Sequence, residues 1–323
     1  MKNLCFAAAA LVLLAAPAAA DNTLIRVNTF PTARSLPFYV GIEKGMFAKH
    51  GIKLELEFTE NSKSQREGLA SGKFEVVQAA VDNALAMIEV AKIDVVIVSG
   101  GDSGTNEFIV GKGIENFDGV RGKKFVVDAP NTAYALQGIK ILAQHGLKVD
   151  VDYKLNPVGN GTHRLKAMMD GGDNAAAIMN LPFSAQTIEA GMKSLGRTTD
   201  ILGPYQAGGA FVLRSWAKAN SKTLENYLAG YIESLRWVMD KNTRDEAIAL
   251  LMDKRNLSRS LATRSYDLMI EPGFGFNPDA KLSAEGFDNV LKLRQEVEGG
   301  PAPDPAKYLD LSYYQTALKR LAR

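Results

Sequence analysis

The stretch from Thr23 to Phe58, TLIRVNTFPTARSLPFYVGIEKGMFAKHGIKLELEF, decides the fold. Thr23 to Val27 is β-branched and apolar and predicts a strand, which Pro31 ends. Ser35 is placed to cap a helix with Pro37 in its first turn, where a missing N–H does no harm. Gly45 and Gly51 punctuate the far end. Leu54, Leu56 and Phe58 then alternate with Lys53, Glu55 and Glu57, the period-two pattern of a strand with one buried face. A strand that feeds a helix through a polar loop sets that loop at the strand's carboxyl end, where open α/β folds bind ligands.

Upstream, Lys2, an apolar run from Leu4 to Ala16, and Pro17-Ala18-Ala19-Ala20 before Asp21 have the parts of a secretory signal peptide over residues 1–20. Cleavage after Ala20 is expected to leave an exported mature chain. The one cysteine, Cys5, would leave with the signal, so the mature chain is expected to have no disulfide, no catalytic thiol and no cysteine-based metal site. The formal charge is +2, and no basic block is interleaved with aromatics, so nucleic acid is a poor partner. A mature chain of about 300 residues suits two domains or one large one.

Strands and helices then alternate. Strands are expected at 74–77, 95–98, 108–110, 124–128, 153–158 and 175–179. Helices of about ten residues fall between them, at 65–72, 83–90, 132–144, 162–169 and 182–190. This alternation implies βαβ crossovers and mainly parallel sheets. Val95-Val96-Ile97-Val98 is the continuous apolar run of a strand covered on both faces. Residues 210–213 form a further strand. Beyond it, Leu224, Tyr227, Leu228, Tyr231, Ile232, Leu235 and Val238 make the stripe of a helix packed on one side. Thr243 and Glu246 fit a capping box for the next helix. Further helices are expected at 260–269, 283–297 and 312–321.

Catalytic constellations are not found. Gly101-Asp102-Ser103-Gly104 resembles the nucleophile segment of trypsin-like proteases. Here Thr105 replaces a second glycine, and none of the three histidines, His50, His145 and His163, has the surroundings of a triad base. A Gly-rich turn after a parallel strand accounts for it. The histidines show no metal-ligand spacing, and Gly111-Lys112-Gly113 is too short for a phosphate loop. No cofactor, metal or enzymatic activity is expected. What recurs is a strand end followed by a polar or aromatic loop that opens a helix, as at 32–35, 81–83, 129–134, 160–162 and 180–183. Free helix N–H groups suit an anion and aromatic rings suit an apolar ligand body. Ordinary capping by Ser, Thr, Asn and Asp explains any one of these loops equally well.

Taken together, these segments resemble the periplasmic substrate-binding proteins of ABC importers, in the branch of sulfonate, taurine, nitrate and thiamine-pyrimidine-precursor binders. The resemblance covers the whole mature chain. It rests on Pro37–Phe47 with Gly51–Glu55, on Gly68–Val76 (Glu75 where aspartate is usual), on Asp118–Phe125 and on Asn174–Ile178. It implies a two-lobe, type II α/β fold. Lobe I takes residues 21–110 and 205–323, and lobe II takes 111–204. Phe108–Gly111 and Gly208–Phe211 are the expected hinge strands. It further implies a monomer that closes on a small-molecule ligand and delivers it to a permease with its ATPase in the inner membrane.

The candidate ligand-binding residues are Thr32, Arg34, Ser35, Phe38, Asp82, Asn83, Asn131, Thr132, Tyr134, Asn180, Phe183 and Tyr205. Arg34 offers a bidentate grip on a sulfonate or carboxylate, whereas Asp82 points toward an amine or ring nitrogen. Both together fit a zwitterion, an aromatic or heterocyclic compound, or an Arg–Asp pair. Two alternatives stand beside this: a receptor subunit for a signalling kinase, and an enzyme of thiamine-pyrimidine synthesis. The second depends on a cysteine-rich motif that this chain lacks.

Overall fold

A computed structural model describes residues 22–299 and 303–322. The expected signal peptide, its cleavage point and Cys5 lie outside them. The strands are β1 (Thr23–Thr29), β2 (Ile52–Phe58), β3 (Val76–Ala80), β4 (Val95–Asp102), β5 (Glu107–Val110), β6 (Lys124–Val127), β7 (Lys154–Pro157), β8 (Asn174–Met179), β9 (Lys193–Arg197) and β10 (Gly208–Leu213). They form two five-stranded sheets, in the orders β2-β1-β3-β10-β4 and β7-β6-β8-β5-β9.

Within the first sheet β1 runs parallel to β2 and β3, with Val27 opposite both Leu56 and Val76. β10 is antiparallel to both of its neighbours, β3 and β4. In the second sheet β6 is parallel to β7 and β8, and β5 is antiparallel to β8 and β9. Each sheet is therefore parallel but for one reversed strand. That strand is the one that has just crossed from the other lobe. β4 reads as a continuous apolar run because helices cover both of its faces, and Val95 to Val98 are fully buried.

The crossings are short. They run from Ser103 to Asn106 and from Gly203 to Ala207, and Ala207 N–H donates to Asp102 O at 3.0 Å. The loop Phe274–Gly275 braces the first crossing by accepting from Ser103 and Thr105 N–H. The residues expected to be hinge strands, Phe108–Gly111 and Gly208–Phe211, lie inside β5 and β10 instead, with Gly111 just past the end of β5. The β-propensity of these apolar runs is satisfied within a sheet, and the polar, glycine-rich segments before them carry the crossing.

Two expected caps are replaced by other bonds. The Ser35 hydroxyl donates to Phe30 O at 3.1 Å, and Thr243 Oγ1 donates back to the Trp237 and Asp240 carbonyls. Both residues close a 3-10 turn, so their backbones lie near φ −75° and −100° with ψ near zero. An N-cap side chain needs an extended backbone to reach the helix N–H groups. β9, sequence KSLGR, has one large apolar residue and no period that would announce it.

The first lobe's core is built where helix Leu36–Glu43 packs on helix Ser221–Met239. Phe38 sits 5.1 Å from the Tyr231 ring, which in turn neighbours Tyr227. This packing fixes the position of the loop between β1 and its helix, and so the position of Arg34.

Candidate functional site

The carboxyl ends of β1, β2 and β3 face those of β6, β7 and β8 across a cleft. Ala33 N–H donates to Leu181 O at 3.2 Å, and Asn160 N–H donates to Glu60 O at 2.8 Å. Ser62 Oγ donates to the Asp128 carboxylate. Gly159 makes this approach feasible: its φ is +100°, and a Cβ there would stand 3.0 Å from the Glu60 carbonyl.

Arg34 occupies the first lobe's side. Its Nη1 donates to Asp102 Oδ1 at 2.6 Å and its Nη2 to the Tyr134 hydroxyl, on the other lobe, at 3.2 Å. Burial pulls the guanidinium pKa down, but the charge of Asp102 more than restores it, leaving it above the ordinary value. Asp102 points inward because residue 208 is glycine; a Cβ there would fall 2.0 Å from Oδ2. Around the pair stand Thr29, Phe30, Thr32, Gln78 and Tyr231, enclosing about 20 Å³ of free volume, room for a single water. In this closed arrangement Arg34 and Asp102 fill the space between them.

The second lobe's side carries Arg164, on helix Gly161–Asp170. It is only 2 % exposed. Its guanidinium lies 4.3 Å from the Tyr134 ring centroid, and Nη1 donates to Gly159 O at 3.1 Å. Among the described residues no carboxylate forms an ion pair with it. Beside this lobe's strand ends, Asn180 is fully buried with both amide atoms unpaired, as is the Ser184 hydroxyl. Arg34 Nε, Arg164 Nε, Gln78 Oε1 and Asp128 Oδ1 are unpaired as well. Buried polar atoms without partners cost about 1–3 kcal/mol each. Collected at one cleft, they form a surface built to take up donors and acceptors from outside the chain.

The sequence matches the NMT1-like family over residues 18–252. The chain belongs to this family. A search of curated protein sequences finds no match. Among solved structures it is similar to the periplasmic nitrate-binding protein NrtA of Synechocystis PCC 6803, with 13% identity, 93% of this chain and 89% of the other covered, and a TM-score of 0.78. It is similar to the zinc-bound ligand-binding component of an ABC-type import system from Staphylococcus aureus, with 15% identity, 91% and 99% covered, and a TM-score of 0.74. It also resembles the alkanesulfonate-binding protein SsuA from Xanthomonas axonopodis pv. citri bound to MOPS, at 15% identity, 90% and 97% covered, and a TM-score of 0.70. At these identities the likeness establishes the fold, that of the periplasmic binding proteins.

Several of the expected site residues converge on the cleft of this NMT1-like protein. Thr32 and Arg34 line the central cavity, Tyr134 touches both buried arginines, and Asn180 carries the unpaired amide. Ser35 is buried, with its hydroxyl turned to Phe30 O. Phe38 and Phe183 are packed into the hydrophobic cores of the two lobes. Thr132 Oγ1 closes its own turn on Ala129 O, and Asn131 lines a groove beside Lys63 and Arg66.

Asn83 donates to Gln65 and Ser62 and accepts from Arg66. Asp82 is fully buried, and its partners are Arg294 Nη1 at 3.3 Å and the Tyr205 hydroxyl at 3.1 Å. Burial raises the Asp82 carboxyl above the ordinary aspartate range, against the pull of Arg294. Arg34 and Asp82 thus belong to two different ion pairs. Gln78, Asp102, Tyr231 and Arg164 were not singled out from sequence. Gln78, a polar residue within the apolar strand VVQAA, carries the one local signal that pointed to it.

Proposed function

We propose that this protein is the periplasmic solute-binding component of an ABC importer, capturing a small organic anion or zwitterion between its lobes and delivering it to a permease and its ATPase. The observation that carries this is the set of buried, unpaired polar atoms where the strand ends of the two lobes meet, with an arginine on each side. The fold and the family support it, as do the similar structures of a nitrate-binding protein and of an alkanesulfonate-binding protein bound to MOPS.

Thr32, Arg34, Tyr134 and Asn180 are retained as ligand residues, joined by Gln78 and Arg164. We place the lobe boundaries at the two crossings rather than at residues 110 and 205, because β5 pairs within the second sheet. Lobe I then takes the chain up to Asp102 and again from Gly208, lobe II takes 107–202, and the crossings absorb the motion. Export follows cleavage after Ala20, the working form is a monomer, and the protein binds rather than transforms its ligand. Closure is driven by tighter binding to the closed form, since a ligand shifts an equilibrium only by its differential affinity.

Thermal-shift screening of the mature protein against sulfonates, carboxylates, amines and pyrimidines tests this. A cognate ligand at a hundred times its dissociation constant adds about 2.7 kcal/mol of stability. A melting temperature that no class of compound moves would overturn it.

A further inference from the structure

The ionised groups around the cleft fall into pairs with one remainder. Arg34 is matched by Asp102 at 2.6 Å. Arg294 is matched by Asp82 at 3.3 Å and by Glu298 at 2.9 Å. Arg66, half-buried, has Asp128 as the opposing charge that acts on it. Arg164 alone is buried among described residues without a carboxylate. Of the acids on that rim, Glu60 is 3.5 Å from His163 and largely exposed, so solvent screens it. Asp128 accepts from the Ser62 hydroxyl and forms no ion pair with Arg164.

A buried cation with no counter-ion destabilises the chain that carries it, by several kcal/mol in unfavourable cases. Arg164 keeps its charge inward. Stacking on Tyr134 holds its planar group, and the bond to Gly159 O uses one of its donors. Its Nε is unpaired. The neighbouring loop supplies a complementary set: Asn180, with amide N and O both unpaired, and Ser184 Oγ. That loop abuts the Arg34 loop through Leu181 O and Ala33 N–H, and Arg34 reaches the same Tyr134 through its hydroxyl. The two arginines therefore flank one tyrosine, one of them neutralised and the other not.

We infer that the ligand is a net monoanion whose charged group is held by Arg164 and Asn180 of the second lobe, with Arg34 and Asp102 serving as an internally neutral wall opposite. This rests on the solute-binding reading above and assigns the charge and the lobe. A planar oxyanion, carboxylate or nitrate-like, or a sulfonate, matches the fork of a guanidinium and leaves an oxygen for the Asn180 amide. The second lobe thereby supplies the electrostatic grip, and closure brings the first lobe's polar side chains onto the remainder of the molecule.

The test uses the mature wild-type protein and the variants R164M and N180D, each checked for native circular dichroism. Sodium acetate, nitrate and methanesulfonate serve as anionic probes, with taurine as the net-neutral zwitterion for comparison, against sodium chloride at equal ionic strength. At least one of the anions is expected to raise the wild-type melting temperature, and neither variant is expected to respond. For the tightest organic anion from the screen, R164M is expected to lose roughly a hundredfold or more in affinity. N180D keeps the side chain's size and sets a negative charge against the anion, so it serves if R164M does not fold.

An unchanged anion response in either folded variant overturns the inference while the solute-binding reading stands. So does a wild type that responds only to neutral or cationic compounds. A wild type that responds to nothing overturns both.

Discussion

Arg34 and Arg164 face each other across the cleft, are similarly buried, and touch the same tyrosine, yet their surroundings differ by one carboxylate. Arg34 has Asp102; Arg164 has a carbonyl and an aromatic face. A paired arginine is already satisfied and acts as a polar wall, whereas an unpaired one is an electrostatic demand that a ligand can meet. Arg294 is a third case, paired with Asp82 and Glu298 in the interior of the first lobe, and belongs to the scaffold. A buried arginine in the cleft is thus informative only after its counter-ions are counted.

The largest effect on stability is expected at the scaffold pair. Arg294→Met leaves Asp82 buried with only Tyr205 as partner and is expected to cost about 3 kcal/mol at pH 8. The sign of its pH dependence follows from Asp82, whose carboxyl is already raised above 3.8 by burial and loses the cation that pulled it down. The folded state then binds that proton more tightly than the unfolded state. Stability is therefore fullest below the ordinary aspartate value and is lost as pH rises through the raised one. Urea titrations should show the deficit shrinking between pH 8 and pH 4.5; a deficit of equal size at both values would remove Asp82 as its cause.

A smaller effect is expected from turning Arg34 into a second Arg164. Asp102→Asn removes the neutralising charge, so ligand-free stability should fall by about 2 kcal/mol. Affinity for an anion should meanwhile rise about tenfold, equivalent to about 1.4 kcal/mol. A weaker anion response in this variant would mean that Asp102 itself contacts the ligand.

Smallest of all is the rim. Lys140 and Glu296 bridge the lobes through partly exposed side chains, and exposed pairs are worth about 0–1 kcal/mol. Lys140→Ala should change ligand affinity less than twofold by calorimetry, and a larger loss would place part of the closing energy outside the cleft.

Much of the fold was legible because its signals are local. Period-two and continuous apolar runs marked nine of the strands, and only KSLGR escaped, since one leucine among polar residues has no period. Strand direction was less legible: the reversal of β5 and β10 follows from where the chain crosses between lobes, a property of the whole topology.

The site divided along the same line. Arg34, Thr32 and Tyr134 stand in loops that open helices, where a sequence pattern draws the eye. Asp102 was hidden in a glycine-rich turn, Tyr231 in an apolar helical stripe, and Arg164 on the buried helix face it shares with Gly161, Ala167 and Met168, where a charged residue carries no local signal. Asp82 looked like a ligand group at a helix start, yet its partner Arg294 lies 212 positions away and only tertiary packing joins them.

The most direct measurement is a calorimetric titration of the tightest organic anion from the screen into the wild-type protein and into R164M. One-to-one binding to the wild type with at least a hundredfold loss in folded R164M is the expected result. Equal affinity in the two proteins would contradict the assignment of the ligand's charge to the second lobe.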